Sequence, residues 1–380
     1  MSGSKWMKKL VVQSVVSLLV SVSGKAYADA PAPKWYDTTT IGGFVQGSYV
    51  GNLSKDTPQT NQLRVYDSNN GFNLNQAQLH MAKPVGDDGY GFNVKFLGGH
   101  DAQLIHSTGL GNTVAGGTTV SESFDVEEAN LTFAIPKVKG LTFTGGKFVT
   151  ACGVEVIESP LNLMISPGFL FFYGMPFTHT GAKLAYTVND KLSVMAGVVN
   201  GWDNVTDNNP GKTVIWQIAA TPFKGVSASV QGSYGPELLA NNISKRIHTD
   251  IVLGYTGINN LTLNAEYLWS QDSNVGGTPN SGTTPWQGAG LWAGYTLNNY
   301  VNPGARFEIF NDQHNANRLG SGVNQTAKNI TVNNKFITSK NTFARVEYRH
   351  DWSNRAPFTR DDGSLVRNQN TIGLDWVVTF

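Results

Sequence analysis

A single cysteine, Cys152, stands in 380 residues, which excludes an internal disulfide and leaves stability to backbone pairing and packing. Charge is scarce too, with Asp, Glu, Lys and Arg together at 14%. The formal charge is +1, and it becomes −3 when Lys5, Lys8, Lys9 and Lys25 at the N-terminus are set aside. With no basic block in the chain, nucleic acid is not an expected partner. Beyond residue 28 there is no run of eighteen apolar residues, so that part cannot cross a membrane as helices and is either soluble or a barrel.

Catalytic and metal signatures are missing as well. There is no G-x-S-x-G elbow, and the seven histidines are scattered without an evident Ser or Asp partner, so no enzyme is expected. Asp203, Asn204, Asp207, Asn208 and Asn209 lack the D-x-D-x-D-G calcium spacing, and they read as a solvated turn. His100, Asp101 and His106 lack a zinc spacing, so neither metal nor cofactor is expected.

What is present begins at the N-terminus. Lys5, Lys8 and Lys9 precede the apolar run Leu10 to Val22 and then Ala26, Tyr27 and Ala28, the three regions of a secretory signal peptide. The expected organisation is a cleaved leader over 1–28, a short periplasmic segment over 29–40 and a barrel over 41–380.

Period two dominates the rest. Tyr90, Phe92, Val94 and Phe96 alternate with Gly91, Asn93 and Lys95, and Val226, Ala228 and Val230 alternate with Ser227, Ser229 and Gln231. Each such strand has one apolar and one polar face. Forty-two glycines and 11% aromatics at low charge suit short strands and polar turns. Tight turns such as Pro136 to Gly140 and Pro222 to Gly225 alternate with long polar loops such as Gly98 to Phe124, Ala151 to Thr178 and Trp352 to Gln369. That asymmetry is the pattern of outer-membrane barrels, with short periplasmic turns and long external loops. Eight long loops imply about sixteen antiparallel strands in a transmembrane β-barrel, centred near residues 46, 78, 94, 130, 145, 183, 195, 217, 230, 252, 265, 292, 307, 333, 346 and 375. In lipid every backbone N–H and C=O must be paired, so the sheet closes on itself.

The chain ends in apolar residues at every second position, Leu374, Trp376, Val378 and Phe380. This resembles the C-terminal recognition strand by which the barrel-assembly machinery handles such chains. Several stretches also resemble the OmpL-like β-barrel porin family: 146–162 (GKFVTACGVEVIESPLN), 176–186 (PFTHTGAKLAY), 198–213 (VVNGWDNVTDNNPGKT), 346–354 (VEYRHDWSN) and the closing 369–380. Ala151 and Cys152 depart from the family pattern, which has proline and an aliphatic residue after Thr150, and loss of the proline would loosen the start of the third loop. The resemblance implies an outer-membrane porin, a water-filled channel for passive diffusion of small hydrophilic solutes or ions. A non-conducting structural or adhesin-like barrel is the competing reading. A homotrimer is compatible with the sequence, and outer-membrane lipid is the implied surroundings.

With the apolar register outward, Lys95, Glu128, Lys147, Lys183, Glu266, Arg306, Glu308, Arg345, Glu347, Arg349 and Asp375 point inward as pore-lining charges, because Arg or Lys facing lipid near the midplane costs about 2 to 4 kcal/mol. Arg306 and Glu308, with Arg345, Glu347 and Arg349, are expected either to act as fixed charge on a passing ion or to form ion pairs that only stiffen the wall. The third long loop carries Glu155, Glu158 and Pro160 and then the apolar Leu161 to Phe172. It is expected to fold inward as a constriction, with both glutamates against the basic wall; packing at a subunit interface or over the barrel mouth is the alternative. Trp216, Tyr234, Tyr255, Tyr267, Trp269, Tyr295, Tyr348 and Trp376 suit interfacial girdles, with ordinary packing as the alternative.

Overall fold

Alternation along the last strands sets the architecture. Over Thr342–Ser353, Ala344, Val346 and Tyr348 stand opposite in register to the buried Arg345, Glu347 and Arg349, and Val346 and Tyr348 are exposed. An isolated sheet with one such polar face would leave its edges unpaired; here the sheet closes.

The computed structural model describes residue 34 and residues 36–380, apart from 54–60, 65–69, 111–112, 116–117, 121–122, 313, 315 and 321. The expected leader lies outside the described residues. Sixteen antiparallel strands form one closed barrel. We number them β1 (Thr40–Asn52), β2 (Gly71–Lys83), β3 (Tyr90–Gly98), β4 (Phe124–Ala134), β5 (Leu141–Val149), β6 (Thr178–Asn189), β7 (Leu192–Val199) and β8 (Thr213–Ala220). The second half comprises β9 (Val226–Gly235), β10 (Lys245–Tyr255), β11 (Leu261–Ser273), β12 (Thr283–Tyr295), β13 (Val301–Asp312), β14 (Gln325–Ile337), β15 (Thr342–Ser353) and β16 (Asn368–Thr379). A one-turn-and-a-half helix, α1 (His100–Ile105), follows β3.

Every strand centre expected from the sequence falls within one of these strands. β16 closes the barrel on β1, pairing Thr379 with Phe44 and Trp376 with Gly47. Gly47 is glycine for a reason: a Cβ there would lie 2.7 Å from the Trp376 indole. The apolar positions of β16 face outward, with Leu374, Trp376, Val378 and Phe380 at 40 to 65% exposure, and the Phe380 backbone bonds that of Gly43 in both directions at 3.0 Å. Tight turns and long loops alternate around the barrel, so all the long connections gather at one end. Two tight turns depend on a left-handed glycine, Gly140 at φ +84° and Gly225 at φ +79°.

Candidate functional site

The inner wall and the third long loop, residues 150–177, form one bonded unit. Arg306 on β13 donates to Glu155 Oε1 at 2.6 Å and to the Ser166 carbonyl at 2.7 Å. Its neighbour Glu308 accepts the Phe169 and Leu170 N–H groups, both at 3.1 Å. One strand pair further, Arg345 donates to the carbonyls of Ser159, Asn162 and Met164 at 3.1, 2.9 and 3.0 Å, and to Asp375 at 2.6 Å. Glu347 accepts from the N–H groups of Ile165 at 2.6 Å and Ser166 at 3.2 Å, and Arg349 donates to the Pro167 carbonyl at 2.8 Å and pairs with Asp351 at 2.7 Å. With only a 3₁₀ turn at Ser159–Leu161 and a π turn at Leu170–Gly174, the loop satisfies little of its own backbone, and these wall side chains supply further partners.

Two expectations change. The arginines point inward, but the loop covers them: Arg306, Arg345 and Arg349 are at most 1% exposed. They are clasped by loop carbonyls and by carboxylates. Glu155 meets the basic wall, but Glu158 does not; it pairs with Lys95 on β3, beside Glu128 at 3.1 Å and Glu127 at 3.6 Å from the same ammonium. Burial would raise the pKa of Glu158, but the charge of Lys95 and the hydrogen bond from it hold it below its ordinary value.

The remaining expected residues take smaller parts. Glu266 accepts the Val154 N–H at 2.8 Å. Glu128 also accepts the Val149 N–H at 3.0 Å, and Lys147 pairs with Asp125 at 2.9 Å. Lys183 on β6 is half-buried, its ammonium 4.0 Å above the Phe148 ring. Pro160 lies in a single 3₁₀ turn, Ser159–Leu161, where its missing N–H costs nothing.

The start of the loop is firmly held despite the missing proline. Cys152 packs with Leu97, Ile157, Phe171, Met175 and Phe177, and the Gly153 N–H donates to Asp250 at 2.6 Å. Burial first, and then the charge of Asp250, pushes the Cys152 thiol well up, so it stays a protonated packing group. The far end of the loop is clamped by Asp203, which accepts the Phe177 and Thr178 N–H groups at 2.9 and 2.8 Å. Burial raises its pKa to about 6.

Several anchors were missed from the sequence: Gln46 and Gln76 reach Ser159 Oγ at 2.8 Å and the Ile157 carbonyl at 2.9 Å, and Trp292 and Trp286 donate to Glu155 and to the Gly174 carbonyl, both at 3.2 Å. Their inward register was the available signal. Small wall positions matter too, since a Cβ on Gly304 would lie 2.8 Å from the Leu163 side chain. The inner face of β6 to β9 is mixed, with His179, Val199, Ile215 and Gln231 buried. Lys183, Met195, Gln217 and Ser227 are half-buried there, whereas the hydrogen bonds that hold the loop to the wall run to β1–β3 and β10–β15.

A closed sixteen-stranded antiparallel barrel, apolar outside and polar within, is the architecture of an outer-membrane porin. Over residues 38–380 the sequence matches the family described as "Putative beta-barrel porin-2, OmpL-like", and the chain belongs to it. No curated protein matches the sequence. Among solved structures, the chain is similar to Salmonella typhi OmpF in complex with daunomycin (TM-score 0.61, 16% identity, 90% of this chain and 97% of that one). It is similar also to an anion-selective porin from Comamonas acidovorans (TM-score 0.59, 12% identity, 90% and 99%), and to OmpT, an outer membrane protein of Vibrio cholerae (TM-score 0.54, 12% identity, 90% and 97%). At these identities the likeness is one of fold.

Proposed function

We propose that the protein forms a water-filled channel for passive diffusion of small hydrophilic solutes or ions, narrowed by the third loop. The observation that carries this reading is the one-sided anchoring of the loop, bonded to β10–β15 and β1–β3, while Lys183, Met195, Gln217 and Ser227 on the inner face of β6–β9 stay half-buried. Solutes pass between the loop and that second wall, where Lys183 supplies a positive charge. A fixed charge beside a narrow, low-dielectric passage biases conductance by sign. The proposal includes removal of residues 1–28 as a leader, a periplasmic segment over 29–40, long loops facing outward from the cell, and handling of Leu374, Trp376, Val378 and Phe380 by the assembly machinery. A homotrimer fits as well, a trimer form having been described for the Vibrio cholerae protein.

Deleting 161–172 tests the channel and its constriction together. Single-channel conductance in planar bilayers should rise; equal conductance in deletion and parent would refute the constriction. The density of bonds on the loop favours one other reading, a plugged barrel that conducts nothing. Liposome swelling separates the two, since a plugged barrel admits neither sugars nor amino acids.

A further inference from the structure

The mouth at the long-loop end holds a cluster that the channel reading leaves unused. Trp202 from the 200–212 loop and Trp286 at the start of β12 meet edge to face, with centroids 6.3 Å apart. Two guanidinium groups lie on them. Arg246 is 4.6 Å from the Trp202 ring and Arg318 is 4.8 Å from the Trp286 ring. The Arg318 Nε donates to the Tyr173 carbonyl of the third loop at 2.9 Å, so this arginine is oriented by a stack and a backbone anchor together.

The two arginines differ in what compensates them. Arg246 holds Asp272 through two nitrogens at 2.6 and 2.8 Å, and Arg306, Arg345 and Arg349 also have a carboxylate at 2.6 to 2.7 Å. Arg318 has no such ion pair among the described residues, and its terminal nitrogens have no hydrogen-bond partner there. Nearby acids are already engaged. Asp272 is taken by Arg246, Asp312 accepts the Leu319 N–H at 2.9 Å, and Asp203 clamps Phe177 and Thr178. Burial, and then the charge of Arg246, lowers the pKa of Arg318 to about 10, which leaves it charged at neutral pH.

Beside this cluster is a cavity of about 510 Å³ lined by Ser244, Asp272, Thr283, Thr284, His314 and Ala316 among others. It borders the cluster through Asp272, the partner of Arg246, and Ala316, which packs against the core that contains Trp202 and Trp286. Its size suits a small solute, and its hydroxyl groups suit a hydroxylated one.

We infer that the mouth carries a solute-binding station in which Arg318 takes the carboxylate of a small hydroxylated acid while the hydroxyl-bearing cavity wall holds its neutral part. A guanidinium that is oriented, charged and without an acid of its own matches a planar carboxylate in paired hydrogen bonds. The station deepens the channel reading by naming the class of solute it favours, but equilibrium binding to it needs no conduction.

The test is calorimetric titration of the full-length barrel, folded in detergent, with gluconate, sorbitol and inorganic phosphate. Folding is checked by heat-modifiable gel mobility. Gluconate should bind, sorbitol should bind at least about ten-fold more weakly, and Arg318→Ala should weaken gluconate by about ten-fold or more. Arg318→Lys keeps the charge without the paired donors and should fall between; it replaces the alanine variant if that one does not fold. Equal binding of gluconate and sorbitol, an Arg318→Ala affinity within two-fold of the parent, or tighter binding of phosphate than of gluconate would overturn the inference. Gluconate binding in a barrel that passes no solute in liposomes would support the station and refute the channel.

Discussion

The walls of β13–β15 and β7–β9 belong to one continuous sheet with one alternating pattern, yet their inner faces differ. On β13–β15 most inward residues are polar or charged and buried, among them Arg306, Glu308, Asn329, Arg345, Glu347 and Arg349, which bond to the third loop or to a neighbour. On β7–β9 the inward residues carry no charge, and Met195, Gln217 and Ser227 among them are half-buried, beside the buried Val199, Ile215 and Gln231. The contrast shows that strand register decides which residues face inward, while the loop decides which of those face water. Charge in this barrel has gone where the loop needs hydrogen-bond partners, and a buried arginine with three carbonyls and a carboxylate is a fastener.

Breaking the fastener should have the largest effect. Arg345→Ala removes the guanidinium from Asp375 and from the carbonyls of Ser159, Asn162 and Met164, and loss of one partner from a buried ion pair costs about 3 to 5 kcal/mol. The expected outcome is a lower unfolding temperature, read from heat-modifiable mobility, together with larger and noisier single-channel currents. Unchanged values of both would remove the loop-clasp role.

On the opposite wall, Lys183→Glu should leave stability nearly unchanged and move the reversal potential in a salt gradient toward cations. The same change at a covered site such as Arg349 should mainly destabilise. Equal selectivity shifts from the two positions would erase the distinction between the walls.

The smallest effect concerns pH. Glu237, in the 236–244 loop, accepts the Trp202 N–H at 2.9 Å and the Thr213 hydroxyl at 2.8 Å, and burial, opposed by Arg246, raises its pKa from 4.5 to about 7. Because the folded value lies above the unfolded one, its contribution is fully present below about 4.5 and is lost as pH rises to about 7. Glu237→Gln should therefore flatten the fall in unfolding temperature between about pH 5 and 8, and an unchanged slope would contradict the assignment.

Much of the fold was legible because period two is local. The alternation in 90–96 and 226–231 names the inner and outer faces at once, and the terminal Phe380 marks the closing strand. The loop's seat was not legible in this way. Glu155 and Arg306 lie 151 residues apart, and nothing in the spacing of Glu155 and Glu158 tells that one reaches β13 and the other β3. Wall carboxylates such as Glu308 and Glu347 bond backbone N–H groups, which every residue but proline carries, so no sequence pattern names their partners. The apolar run Leu161 to Phe172 was the available hint. Its glycine at 168 gains a meaning only from the structure, where a Cβ would lie 2.2 Å from the Glu308 carboxylate.

The contrast between the walls can be read directly by thiol accessibility during current recording. In a Cys152→Ser background, Gln217→Cys or Ser227→Cys should react with a membrane-impermeant, sulfonate-bearing thiol reagent and reduce the current. Thr331→Cys, on the covered β14 wall where Thr331 is 1% exposed, should leave the current unchanged. Block at Thr331 with none at Gln217 and Ser227 would contradict the proposed route.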